Sequence, residues 1–210
     1  MQRSVYHSSE IQAWEQRWFA QQNSSLGLMQ QAAWTIVQQV LLQFEQKQIK
    51  KIAVWCGQGN NAGDGYFIAG YLKQVGLDVT VFTTERGPSA DLQQAYLFAQ
   101  SQHVSFISLE VLIAQSELQQ QLAQFECHID ALFGIGLNRE LNQYWQSIIQ
   151  LFNVQTGLKI AVDIPSGLQA NTGQALPCAI QANHTFTLLG YKAGLFTGQG
   201  KEFVGQLHLL

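Results

Sequence analysis

Residues 50–76 read KKIAVWCGQGNNAGDGYFIAGYLKQVG, and the fold is decided there. An apolar run, Ile52 to Cys56, meets four glycines within nine positions: Gly57, Gly59, Gly63 and Gly65. Apolar residues then recur at helical spacing as far as Gly76. A short continuous apolar run that stops at glycine reads as a strand buried on both faces. The segment 63–76 reads as the helix that follows, with Gly76 as its stop. Strand, glycine loop and helix in that order open an α/β unit.

The same alternation continues downstream. Strands are predicted over 78–84, 103–107, 127–134, 158–167 and 182–190, with a further one in the tail, 204–210. Helices are predicted over 89–102, 109–125 and 142–154. Upstream, 9–22 and 26–46 have helical spacing, and Leu28, Ala32, Ile36, Val40 and Phe44 share one face. Apolar strands alternating with helices imply an α/β, Rossmann-like three-layer sandwich: a mostly parallel central sheet with helices on both faces. No repeat, linker or composition shift divides residues 1–210, so they read as one domain. Residues 1–48 supply N-terminal helices that cap the sheet or make a subunit contact.

Composition narrows the function. The chain has 210 residues, 47% hydrophobic and 12% charged, with a formal net charge of −3. It has no block of Lys and Arg to meet a phosphate backbone, so nucleic acid is not an expected partner. No apolar stretch reaches membrane-spanning length, and the N-terminus lacks a signal-peptide core. Cys56, Cys127 and Cys178 are scattered, without a CxxC pair, and read as free thiols in a reducing compartment. These features together predict a cytoplasmic protein. The glutamine-rich runs, such as 114–125, read as helix surfaces. His7, His103, His128, His184 and His208 form no metal-ligand spacing and read as structural.

Open parallel sheets bind ligands beyond the carboxyl ends of their strands. Three such ends carry polar residues here. The first strand runs into Gly57–Asp64, the fourth carries Asp130 and runs into Gly134–Glu140, and the fifth runs into Asp163–Gly167. Gly57, Gly59 and Ala62 match G-x-G-x-x-A, in which bare backbone N–H groups approach a pyrophosphate at a helix N-terminus. Glu85, ending the second strand, is placed to accept from a ribose. A tight turn without a ligand would also use these glycines, and no Walker lysine follows them. Asn60, Asn61 and Asp64 add amide dipoles and a negative charge, which suit a cation or a polar ring better than phosphate alone. Asp130 lies in an apolar strand, where a lone carboxylate is costly unless paired, protonated or metal-bound. Asp163 precedes Ile164-Pro165 and equally suits a turn. Ser166 lies outside any nucleophile motif.

Four segments, CGQGNNAGDGYFIAGYL, IDALFGIGL, AVDIPSGLQANTG and ANHTFTLLGYKAGLFTGQG, resemble the signatures of the NAD(P)H-hydrate epimerase family (YjeF N-terminal domain), in order and at matching spacing. LGLMQQAA, residues 26–33, is similar to a helix of that family. The resemblance implies a homodimer acting on hydrated NADH or NADPH (NADHX, NADPHX), and a separate or fused ADP- or ATP-dependent dehydratase as partner. It implies substrate binding by Asn60, Asn61, Ala62, Gly63 and Asp64, by Gly134, Ile135, Gly136, Leu137, Asn138, Arg139 and Glu140, and by Asp163. It implies a potassium ion held by Asn61, Asp130 and Ser166. Asp163 is the candidate acid/base and Asp64 the second choice; Lys192 is a further candidate at the site mouth. Two departures from the family pattern stand out: Ala62 replaces a glycine, and Asn138 stands where Lys or Arg is usual, with Arg139 next to it. No dehydratase segment follows, so the chain reads as a stand-alone epimerase or half of a bifunctional one.

Epimerisation at the hemiaminal carbon C6 needs a proton donor and a base but no redox partner. A non-catalytic nucleotide-binding or scaffold module of the same fold is the competing class. A dehydrogenase is disfavoured because the chain has no separate substrate domain and no paired His/Asp signal.

Overall fold

The computed structural model describes residues 4–210. In chain order the elements are β1 (Val5–Tyr6), α1 (Ser8–Ala20), α2 (Ser25–Lys47), β2 (Lys51–Cys56), α3 (Asn60–Gln74), β3 (Asp78–Thr83), α4 (Ala90–Ser101), β4 (Ser105–Ser108), α5 (Leu109–Ala114), α6 (Ser116–Gln121), β5 (Cys127–Ala131), α7 (Gln143–Asn153), β6 (Leu158–Val162), β7 (His184–Thr187), β8 (Tyr191–Lys192), α8 (Gly200–Phe203) and β9 (Gln206–Leu209). Seven strands form one sheet in the order β4-β3-β2-β5-β6-β7-β9. Every pair in it is parallel, beyond the mostly parallel expectation.

β2 is buried on both faces because its side chains alternate between two cores. Ile52, Val54 and Cys56 join α2, α3 and α4 on one side. Ala53 and Trp55 join Leu109 and Leu112 of α5 and Ile148, Ile149 and Phe152 of α7 on the other. A third, smaller core gathers Ile164, Leu168, Ala170, Leu195 and Phe203 beyond the carboxyl end of β6. That arrangement gives the expected helix–sheet–helix sandwich.

The departures from expectation are local. α3 begins at Asn60, not 63, so the asparagines lie in its first turn. The helix expected over 109–125 breaks at Gln115, whose backbone is extended (φ −122°, ψ 107°). The Gln119 side chain caps the end of α5 by donating to the carbonyls of Leu112 and Ile113. The inward face of α2 starts with Met29 and Ala33, not Leu28 and Ala32, because Met29 packs directly against Gly63. α2 covers the sheet. α1 is tethered elsewhere: the two-residue strands β1 and β8 pair in parallel, setting Tyr6 beside Lys192.

Candidate active site

The chain leaves β2 for β3 and β4 on one side, then returns to β5 on the other. The crevice between the carboxyl ends of β2 and β5 is therefore the topological switch point, where such sheets bind ligands. Gly57 lines it and must be glycine: a Cβ there would lie 2.1 Å from the Leu132 carbonyl oxygen. Gly59, the N-cap of α3, faces open space and gives the helix no side-chain cap. The Ala62 N–H is taken by the Gly59 carbonyl (3.0 Å), and no side chain caps the N–H groups before it, the kind of helix start at which anions bind. Ala62 is fully buried among Met29, Tyr66 and the β2 side chains, so its methyl is a packing group. Gly65 lets α3 sit close on the sheet, since a Cβ would meet Ala131 at 2.6 Å and Cys56 Sγ at 2.8 Å.

Asn61, Asp130 and Ser166 converge on Phe133. Asn61 Nδ2 donates to the Phe133 carbonyl (3.1 Å), and the Phe133 N–H donates to Ser166 Oγ (2.8 Å). Asp130, sealed from solvent, accepts from the Ser166 hydroxyl (2.6 Å), the Ser166 N–H (2.7 Å) and the Leu132 N–H (3.1 Å). Burial still outweighs these bonds and pushes its carboxyl up to about 6. The donor set is all oxygen and carries one carboxylate, which fits a hard monovalent cation. Among the described residues no group of three or more His, Cys, Asp or Glu could hold a transition metal.

Asp163 ends β6 with a left-handed backbone (φ 66°), which Asp tolerates better than most residues. Its carboxylate accepts from the Lys192 ammonium, the Leu188 N–H (3.0 Å) and the Thr187 hydroxyl (3.4 Å). Lys192 also donates to the Leu188 carbonyl (2.7 Å) and to Thr187 Oγ1 (3.1 Å). Lys192 is therefore not at the site mouth: only 1% of its side chain is exposed. Its aliphatic stem is buried because its charge is matched inside the fold.

Asp64 faces this pair from the first turns of α3. Part of it reaches solvent, yet atoms crowd round its carboxyl. Burial, then the charges of Asp163 and Glu15, hold it well above the ordinary carboxylate range, with Lys192 pulling the other way. One buried lysine thus stands near two carboxyls in different settings: it is ion-paired with Asp163, whereas Asp64 is held toward its neutral form.

The second loop runs on from β5. Gly134 sits against Asn61, where a Cβ would meet Asn61 Cβ at 3.3 Å. Ile135 packs on the third core and Leu137 on the second. Asn138, Arg139 and Glu140 are exposed on the rim. Asn60 is exposed at the start of α3, with Asn61 and Gly63 buried behind it. Glu85 is exposed beyond β3, in a loop tied to the glycine loop by the Gly87 N–H donating to the Gln58 carbonyl (3.1 Å). Burial pushes the thiols of Cys56 and Cys127 up, in keeping with structural cysteines. A groove lined by Lys47, Glu126, Leu158 and His184 lies at the opposite edge of the sheet. It contains none of these residues and lies at the strands' amino ends.

The sequence reading missed Glu15, which no local signal distinguishes from any other glutamate on a helix surface.

Residues 25–194 match the family model described as YjeF-related protein N-terminus. The chain is 30% identical over 161 residues to the NAD(P)H-hydrate epimerase of Levilactobacillus brevis, covering 77% of this chain and 72% of that one. It is 40% identical over 149 residues to the bifunctional NAD(P)H-hydrate repair enzyme of Vibrio cholerae, covering 70% of this chain and 28% of the relative. A bifunctional NAD(P)H-hydrate repair enzyme from Leishmania braziliensis is 34% identical over 152 residues, and the chain spans 27% of its length. The crystal structure of yeast ynu0 superposes with a TM-score of 0.79 at 23% identity, covering 91% of this chain and 82% of that one, a likeness of fold.

Proposed function

Because this chain belongs to the YjeF-related protein N-terminus family, we propose that it is an NAD(P)H-hydrate epimerase, an isomerase that interconverts the R and S epimers of hydrated NADH and NADPH at C6 of the ring. The observation that carries the proposal is the pairing of Asp64, its carboxyl held high, with Asp163, matched to buried Lys192, beside an open glycine loop.

The substrate's pyrophosphate lies on Gly59 and the N-terminus of α3, with Arg139 on the rim, and the ring turns toward the two aspartates. Asp64, as a neutral acid, protonates the C6 hydroxyl, which leaves as water while the ring nitrogen lone pair forms the iminium. Water adds to the other face and gives its proton to Asp163, whose carboxylate is fixed in place by the buried ion pair with Lys192. The proton then passes from Asp163 back to Asp64 through water, which restores the enzyme; no electron transfer is needed, and the reverse reaction swaps the two roles.

Potassium, held by Asn61, Asp130 and Ser166, would supply a positive charge that offsets the buried carboxylate and ties the start of α3, β5 and the 163–166 turn together. The enzyme is further proposed to be a cytoplasmic homodimer, working with an ADP- or ATP-dependent dehydratase that consumes the S epimer. Among the described residues no helix is long and apolar enough to cross a membrane.

The test is incubation of the purified protein with the R epimer of hydrated NADH, separating the epimers by chromatography. Appearance of the S epimer faster than in buffer supports the reading. A rate equal to buffer overturns it.

A further inference from the structure

α1 lies outside the residues matched by the family model, yet it is fixed at the site. β1 pairs with β8 so that Tyr6 lies beside Lys192. The Ser8 N–H donates to Asn171 Oδ1 (2.7 Å), and Asn171 Nδ2 donates back to Ser8 Oγ (3.1 Å). The helix start is closed by the His7 N–H donating to Glu10 Oε2 (2.8 Å). One turn further on, Ile11 is buried against Gly190, where a Cβ would lie 3.0 Å from Ile11 Cδ1.

Glu15 follows Ile11 by four residues, so the two share a helix face. That face turns toward Asp163 and Lys192. Glu15 is half-buried and has no hydrogen bond or ion pair among the described residues. Its Coulombic neighbours are Asp163, Lys192 and Asp64, from the ends of β6, β8 and α3. Burial and the Asp163 charge push its carboxyl up, while Lys192 pulls it down. A half-buried glutamate held by a tethered helix over three charged groups is placed to act on charge that develops between them.

We infer that Glu15 is a further residue of this site, a carboxylate that α1 holds over the ring to stabilise the positive charge formed when the C6 hydroxyl leaves. The inference rests on the epimerase reading for the identity of the ring. A fixed negative charge aimed at a cation present only in the transition state raises turnover without tightening substrate binding. Hydrated NADH and NADPH have uncharged rings, so their binding owes little to Glu15.

NADP⁺ and NADPH give a test that does not depend on turnover, since they differ chiefly in the charge of the ring. Calorimetric titration of wild type and Glu15→Gln with both nucleotides should show NADP⁺ binding weakened about three- to tenfold. NADPH binding should be unchanged, which also shows that the variant is folded. With hydrated NADPH as substrate, kcat should fall about tenfold and KM should hold. Equal effects on both nucleotides, or none, would overturn the inference, as would wild type binding neither. A charge-selective loss in a protein that epimerises nothing would keep Glu15 over the nucleotide ring and sink the epimerase reading, together with the catalytic role that rests on it.

Discussion

The Lys192 ammonium meets the Asp163 carboxylate inside the fold, with 1% and 12% of the two side chains exposed. This pair does two jobs, fixing the proposed base and closing the turn after β6. Removing one partner strands the other charge in a desolvated setting. Asp163→Asn and Lys192→Met should each cost about 3–5 kcal/mol of stability. The double variant should lose clearly less than the sum, because neither charge is then left alone. Denaturant titration of the four proteins measures the coupling, and additive losses would show the two charges to be independent. Activity should fall about 10²–10⁴-fold in Asp163→Asn.

Asp64 is held toward its neutral form. Its carboxyl is held above the ordinary range, so the unfolded chain ionises it at lower pH than the native protein does. Its contribution to stability is complete below the unfolded value and is lost as pH rises through the folded one. Asp64→Asn mimics the protonated form and escapes that loss. The variant should melt higher than wild type at pH 7 to 8, by about 2–4 °C for each kcal/mol recovered, and equal it near pH 4. Its epimerase activity should be gone. A melting temperature at or below wild type at pH 8 would mean that the native site does not disfavour the charge.

The glycine loop separates folding from binding. Gly57 has no room for a methyl, whereas Gly59 faces open space with φ −103°, a backbone any residue adopts. Gly57→Ala should therefore destabilise the protein, since the obstacle at 2.1 Å is a backbone carbonyl. Gly59→Ala should melt like wild type and bind NADP⁺ at least several-fold more weakly, because its methyl occupies the approach to the α3 N-terminus. Normal NADP⁺ affinity in Gly59→Ala would remove the pyrophosphate from this loop.

The contrast among Gly57, Ala62 and Glu15 marks how far the chain could be read. The β2 strand, its glycine loop and the burial of Ala62 follow from local pattern, because glycine density and apolar runs report backbone approach directly. The helical start at Asn60 does not, since asparagine and glycine disfavour helix. There, Ala62 and Gly65 packing on β2 and β5 overrides propensity. Lys192 reads as a candidate at the site mouth, because nothing nearby in sequence announces its burial against Asp163. Glu15 depends on a tether of two-residue strands, too short to leave a periodic signal. The site's glycines and strand-end aspartates were legible, and its long-range charge pairing was not.

His128 lies in the second core with no exposed surface; its Nδ1 accepts from Trp55 Nε1 (3.3 Å), and its Nε2 has no partner. Burial lowers it from 6.5 to about 4. The unfolded chain therefore takes up this proton first as pH falls, and stability present above 6.5 is lost toward 4. Asp130 titrates in the same window with the opposite sign, so the comparison must be with His128→Leu, where Asp130 is unchanged. The stability difference between wild type and variant should shift by about 3 kcal/mol in the variant's favour from pH 7 to pH 4. A difference independent of pH would show that the fold takes up the His128 proton as readily as the unfolded chain does.

The last expectation concerns the oxygen cluster of Asn61, Asp130 and Ser166. A buried carboxylate at this strand end gains from a cation that binds only the folded chain, and such a ligand raises the melting temperature in proportion to its occupancy. Wild type should melt higher in potassium chloride than in lithium chloride at equal ionic strength, because the smaller ion holds its water more tightly and fits a protein oxygen cage less well. Asp130→Asn keeps the shape of the side chain and removes the charge, and its single amide oxygen can accept from only one of the Ser166 and Leu132 N–H groups. Its melting temperature should be the same in both salts. Equal melting of wild type in the two salts would exclude a potassium site. A potassium effect that survives in Asp130→Asn would place the ion elsewhere and leave Asp130 as a brace for Ser166 alone.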